Sequence, residues 1–131
     1  MEAKELMIGD WVRIDEPDKY AGATGQIQSL MYHREGDSAY FHVFIQGKFG
    51  YVLRDVCSDD IRPITLTAEI LEKNLATEPQ IAWCVGWNKK DDIHVEIKRD
   101  DLNAAFYGVI DFVHQLQHAL RLCGIEKTIE L

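Results

Sequence analysis

The chain has 131 residues, of which 47% are apolar and 27% charged. That is ordinary for one folded domain, or one and a small appendage, with no need of disulfides or a structural metal. Fourteen Lys plus Arg stand against 22 Asp plus Glu, a net charge of −8. This balance argues against a general polyanion binder, whose affinity comes from neutralised phosphates, and against docking on anionic membrane.

Charge does not divide the chain: residues 1–64 and 65–131 each hold 7 basic and 11 acidic side chains. The opening residues lack the apolar stretch of a secretory signal. The longest apolar runs fall far short of the ~20 residues of a membrane helix. Cys57, Cys84 and Cys123 are odd in number and widely spaced, with no C-x-x-C. They read as reduced thiols in a cytoplasmic protein.

The first half reads as all-β. Trp11-Val12-Arg13-Ile14 alternates after the turn pair Gly9-Asp10, with Val12 and Ile14 on one face. Glu16-Pro17-Asp18 breaks that strand. Gly22 and Gly25 bracket a turn into a second strand over 26–32. Segments 38–46 and 49–56 flank Gly47-Lys48, which suits a type II′ hairpin. That register sets Gln46 opposite Phe49, Phe44 opposite Tyr51, His42 opposite Leu53 and Tyr40 opposite Asp55. One face then carries Tyr40, His42, Phe44, Phe49, Tyr51 and Leu53. The other carries Phe41, Val43, Ile45, Val52, Arg54 and Val56 and is the natural core. The aromatic face needs a cover: the C-terminal half, or a partner.

The phrases Gly9-Asp10-Trp11-Val12-Arg13-Ile14 and Gly22-Ala23-Thr24-Gly25-Gln26-Ile27 resemble the opening of SH3-like barrels of the KOW type. There a first strand leads through a loop to a tight glycine turn and a second strand. Such barrels often touch RNA or ribosomal surfaces.

The second half reads as α+β. Thr67 is a candidate N-cap for a short helix over 68–74. Residues 81–87 read as a strand with Trp83, Val85 and Trp87 on one face. Ile93, Val95 and Ile97 alternate with His94, Glu96 and Lys98. Leu102, Phe106, Val109, Val113, Leu116, Leu120 and Cys123 fit one long amphipathic helix capped by Asp101. The same segment also fits a strand over 106–110 followed by a helix over 112–123 capped by Asp111. Gly124 is a suitable residue after either helix. Residues 127–131 are a candidate final strand.

Three phrases carry a second resemblance: residues 3–10, residues 63–74, and Phe112-Val113-His114-Gln115-Leu116-Gln117. The chain is similar to a family of small uncharacterised proteins common in gut Bacteroidales and their phages and mobile elements. In that family a strand runs directly into the V-H-Q-L-Q phrase and a helix follows, which favours the shorter helix here. This chain departs from the family at His118, where relatives have Asn. Leu75-Ala76-Thr77 also replaces their glycine-aromatic step. The resemblance implies no activity, substrate or cofactor.

The residues offer no catalytic constellation. His114 and His118, with Asp111, have the spacing of metal ligands on a helix. They lack the Glu of a metalloprotease helix, and Asp111 is equally a cap, so no metal is assigned. Cys57 and Cys84 lie on strands, away from a helix N-terminus that would lower a thiol pKa. No glycine-rich phosphate loop is present, and the Asp-Asp pairs flank strands, where neighbours point to opposite faces and make poor acid–base pairs; they read as solvated turns.

These readings combine into an α+β protein. It has an SH3-like small β-barrel over 1–63, packed on a smaller sheet-plus-helix unit over 64–131. The expected role is non-catalytic and cofactor-free: an accessory or adaptor protein, of phage or mobile-element origin, that binds another protein. Trp11, Tyr40, Phe44, Tyr51, Trp83 and Trp87 are the candidate contact residues, because Trp and Tyr dominate interface hot spots. The alternative is nucleic-acid binding, with Trp11, Tyr20 or Tyr32 stacking on bases. It would use a local patch of Lys48, Arg54, Lys89, Lys90, Lys98 and Arg99.

Overall fold

The structure, a computed structural model, describes residues 5–15, 22–32, 39–47, 50–86, 91–98 and 104–131; side chains at 30–32, 39, 46–47, 50–52 and 104 lie outside that description. The fold is α+β. It divides between Ile64 and Thr65 into two units.

The first unit is a five-stranded antiparallel sheet: β1 (Trp11–Ile14), β2 (Thr24–Tyr32), β3 (Ala39–Gly47), β4 (Gly50–Cys57) and β5 (Ile61–Arg62). Its order is β4-β3-β2-β1-β5. A single 3-10 turn, Ser58–Asp60, leads from β4 into β5. Strand β1 shows the expected alternation, with Val12 and Ile14 fully buried, Arg13 exposed and Trp11 half-buried. Val12, Ile14, Ile27, Phe41, Val43, Ile45, Val56 and Ile61 form the core. The aliphatic face of the hairpin is therefore the inner one.

Glycine matters at two places here. Gly22 sits at φ +78°, in the left-handed region that a side chain disfavours. At Gly25 a Cβ would lie 2.6 Å from Val43 Cγ1 and 2.8 Å from the Phe44 carbonyl oxygen. Strand β2 can approach β3 that closely only without a side chain.

The hairpin register differs from the expected one by two residues. The ladder closes at Gly47↔Gly50, and pairs Phe44 with Leu53, His42 with Asp55 and Tyr40 with Cys57. A shift of two keeps every side chain on its face, so the hydrophobic pattern could not distinguish the registers. What differs is the partner of each residue. The observed register sets Phe41 against Val56, where the expected one set it against Arg54. It also sets His42 against an acid rather than against leucine.

The second unit holds α1 (Ala68–Leu75), β6 (Ile81–Val85), β7 (Ile93–Lys98), β8 (Ala104–Val109) and α2 (Val113–Leu122). The three strands form an antiparallel sheet in the order β6-β7-β8. Over 104–122 the chain is thus a strand followed by a helix, not one long helix. Leu71 and Leu75 of α1, Val95 and Ile97 of β7, and Leu116 and Leu120 of α2 are all buried.

Thr67 caps α1 as expected, its Oγ1 accepting the Ile70 N–H at 3.3 Å. The cap of α2 is not Asp111. The N-cap is Phe112, and Gln115 folds back so that its Oε1 accepts the Asp111 and Phe112 N–H groups, at 3.0 and 3.2 Å. A glutamine in the first turn thereby reaches back to satisfy the backbone N–H groups that lead into the helix.

Residues 127–131 form no strand. Ile129 is buried, and the Asn74 side chain accepts the Glu130 N–H and donates to the Glu130 carbonyl, both at 2.7 Å. One side-chain amide satisfies the backbone that a neighbouring strand would have satisfied. Among the described residues no helix is long and apolar enough to cross a membrane.

Candidate functional site

The outer face of the five-stranded sheet is built in rows, because residues in register on antiparallel strands point the same way. One row runs Trp11, Gln26, Phe44, Leu53 across β1 to β4. Phe44 is 37% and Leu53 56% exposed, side by side on two paired strands. Trp11 is half-buried in the same row, and Gln26 donates from Nε2 to the Gly9 carbonyl at 3.1 Å.

The next row is polar: Ser29, His42, Asp55. Ser29 reaches this face through a bulge, for the β2–β3 register shifts between Ile27 and Ser29. Strict alternation would point Ser29 inward with Gly25 and Ile27. The extra residue, Gln28, turns it outward, as bulges re-aim side chains elsewhere. Ser29 Oγ lies 2.9 Å from His42 Nδ1, and His42 Nε2 lies 2.6 Å from Asp55 Oδ1. The His42 and Asp55 side chains are 30% and 58% exposed. Beyond this row comes Tyr40, half-buried, opposite Cys57.

Three of the expected contact residues, Trp11, Tyr40 and Phe44, therefore share one face. Tyr51 lies on β4 opposite Gln46, but its side chain is outside the described residues. Trp87 is outside them too. Trp83 is half-buried on β6 opposite Val95, which is fully buried. It sits on the inner face of its own sheet, in the second unit.

The residues that the sequence reading missed are Ser29, His42 and Asp55. Two signals were available. Ile27 and Leu30 are three apart in a strand, the spacing a bulge produces, and a His opposite an acid is a favourable cross-strand pair.

The α2 histidines converge: Phe112 and His114 rings stack at 5.9 Å, and His114 and His118 meet edge-on at 5.6 Å. His114 is buried and Asp111 exposed. Among the described residues no group of three His, Cys, Asp or Glu is placed to hold a metal ion.

Of the expected basic patch, Lys48, Lys89, Lys90 and Arg99 lie outside the described residues, as do the stacking candidate Tyr20 and the Tyr32 side chain. Lys98 pairs with Glu96 at 3.8 Å, and Arg54 is half-buried.

No family model matches the chain, and neither a curated protein nor a solved structure matches it.

Proposed function

We propose that the chain is a binding module for another protein, and that the outer face of β2 to β4 is its contact surface. The observation that carries this reading is the exposed Phe44–Leu53 pair on β3 and the edge strand β4, with Trp11 in its row and Tyr40 beyond the polar row. An apolar pair flanked by aromatic side chains with polar tips is the composition of an interface centre. The acidic balance favours a protein over a nucleic acid.

An SH3-like barrel of the KOW type is the finer reading of the first unit. The glycine turn into β2 and the meander order closed by β5 against β1 support it. The free state of all three cysteines, with Cys84 exposed, supports work in a reducing compartment such as the cytoplasm. An origin in a phage or mobile element follows from the family resemblance.

The test is affinity capture by the tagged chain from lysate of its own host, with and without nuclease, using the native sequence and Leu53→Asp. The expected result is a discrete protein that survives nuclease and is lost with Leu53→Asp at unchanged thermal midpoint. Capture unaffected by Leu53→Asp overturns the assigned surface. Capture of nucleic acid moves the function to the KOW-type alternative.

A further inference from the structure

We propose that Ser29 is an acyl-accepting nucleophile, with His42 as its general base and Asp55 as the group that orients the imidazole. The substrate class is a small activated ester with an apolar leaving group. This adds a chemical activity to a chain whose sequence reads as non-catalytic, and it does not depend on the protein-binding role.

Asp55 sets which nitrogen of the ring carries the proton. A carboxylate accepts hydrogen bonds, so the 2.6 Å contact places the proton of neutral His42 on Nε2. Nδ1 is then the acceptor nitrogen. Ser29 Oγ, 2.9 Å from Nδ1, can therefore only donate to it. The hydroxyl proton already points at the base that would remove it. This is the connectivity of an activated serine: nucleophile, base, orienting acid. The ring is used in the opposite sense to the familiar serine-protease triad, but either nitrogen of an imidazole serves as base.

The three side chains stand in register on β2, β3 and β4, so the sheet itself sets their spacing, which is firmer than a loop would give. The bulge at Gln28 is what brings Ser29 into the row. The His42 side chain is 30% exposed, so a reagent reaches the row. Phe44 and Leu53, one row away, provide an apolar shoulder for a leaving group.

In the step itself, Ser29 Oγ forms a bond to the acyl carbon while its proton passes to His42 Nδ1. The bond from the acyl carbon to the leaving oxygen then breaks, and that oxygen takes up the proton. A water molecule, deprotonated by the same nitrogen, later releases the acid and restores Ser29. On an open sheet the developing oxyanion is stabilised by water, so the gain comes from the base. General-base assistance contributes about 10²- to 10⁴-fold, and a solvated row belongs at the low end.

The experiment treats the full chain with p-nitrophenyl acetate, follows nitrophenolate release, and maps the acetyl group by peptide mass spectrometry. The expected adduct is on Ser29, and Ser29→Ala removes it. His42→Gln should slow Ser29 acylation about 10²-fold. Asp55→Asn should slow it less, about tenfold, since a solvated carboxylate holds the ring less firmly. A spectroscopic readout separates orientation from mere support of the fold. Nitrogen-15 shifts of His42 should report one tautomer, protonated at Nε2, in the native chain and a mixture in Asp55→Asn. Circular dichroism checks that each variant folds. Three results would overturn the proposal: no adduct on the folded native chain, adducts only on residues other than Ser29, or Ser29 acylation as fast in His42→Gln as in the native chain.

Discussion

Each sheet carries a histidine on a central strand, and the two are built into opposite situations. On the five-stranded sheet the row is Ser29, His42, Asp55. On the three-stranded sheet the corresponding row is Cys84, His94, Val109. Both rows put a nucleophilic side chain on one flank of the ring. The difference lies on the far flank. Asp55 can hold an imidazole N–H; Val109 offers only methyl groups. His94 is instead buried, with the Tyr107 ring 6.3 Å away and tilted. A histidine beside a hydroxyl or thiol is thus only half of an activated nucleophile. The acceptor across the next strand decides which nitrogen faces the nucleophile.

Each histidine stands on a packed sheet, and the largest expected effects come from breaking those cores. Phe41 is 1% exposed under the His42 row, and Ile97 is fully buried on the inner face of β7. Phe41→Ala should cost roughly 3–5 kcal/mol and Ile97→Ala roughly 2–5 kcal/mol, from lost transfer energy plus the cavity left behind. Chemical denaturation gives the magnitude. Hydrogen exchange read by segment gives the place: protection should fall over 24–57 for Phe41→Ala and over 81–109 for Ile97→Ala. Stable variants with native protection would mean that these side chains are not the cores of their sheets.

The same two platforms show which features are legible in a sequence. Alternation in 11–14, 41–45 and 93–97 marks the inner faces, and the buried apolar residues fall where it puts them, while His94 is buried on the opposite face of β7. Alternation has period two, so it carries parity and nothing finer. The hairpin register was therefore open to a shift of two residues that moves no side chain between faces. It does change who meets whom, and it had separated His42 from Asp55. The bulge at Gln28 breaks parity itself, so Ser29 was assigned no place at the site. At α2 the pattern allowed one long helix or a strand and a shorter helix. The residues leave both open and the family resemblance favours the second, which is the one that forms. The cap lies one residue later than the expected Asp111, at Phe112, with Gln115 reaching back to the Asp111 and Phe112 N–H groups.

A smaller effect sharpens the contrast between the histidines. His94 is 9% exposed, so His94→Ala removes a buried ring from beneath the outer surface of β7. The expected cost is roughly 1–3 kcal/mol, the usual range for a buried truncation that does not open the main core. Thermal and urea unfolding both read it.

The smallest effect belongs to His42→Ala. Its ring is 30% exposed, and Asp55, its acid partner, is 58% exposed. Exposed ion pairs are worth about 0–1 kcal/mol, because water and salt screen them and the side chains lose freedom in pairing. The Ser29 contact is a single half-exposed hydrogen bond, and its loss lets water take its place. His42→Ala should therefore lower stability by less than about 1 kcal/mol, and by less than His94→Ala does. The comparison is decisive because the two substitutions remove the same atoms. If His42→Ala is the costlier, the row is holding β2, β3 and β4 together and its hydrogen bonds are structural. If the order is as expected, the three-stranded sheet needs His94 for packing and the five-stranded sheet does not need His42. The Ser29–His42–Asp55 alignment is then available for chemistry.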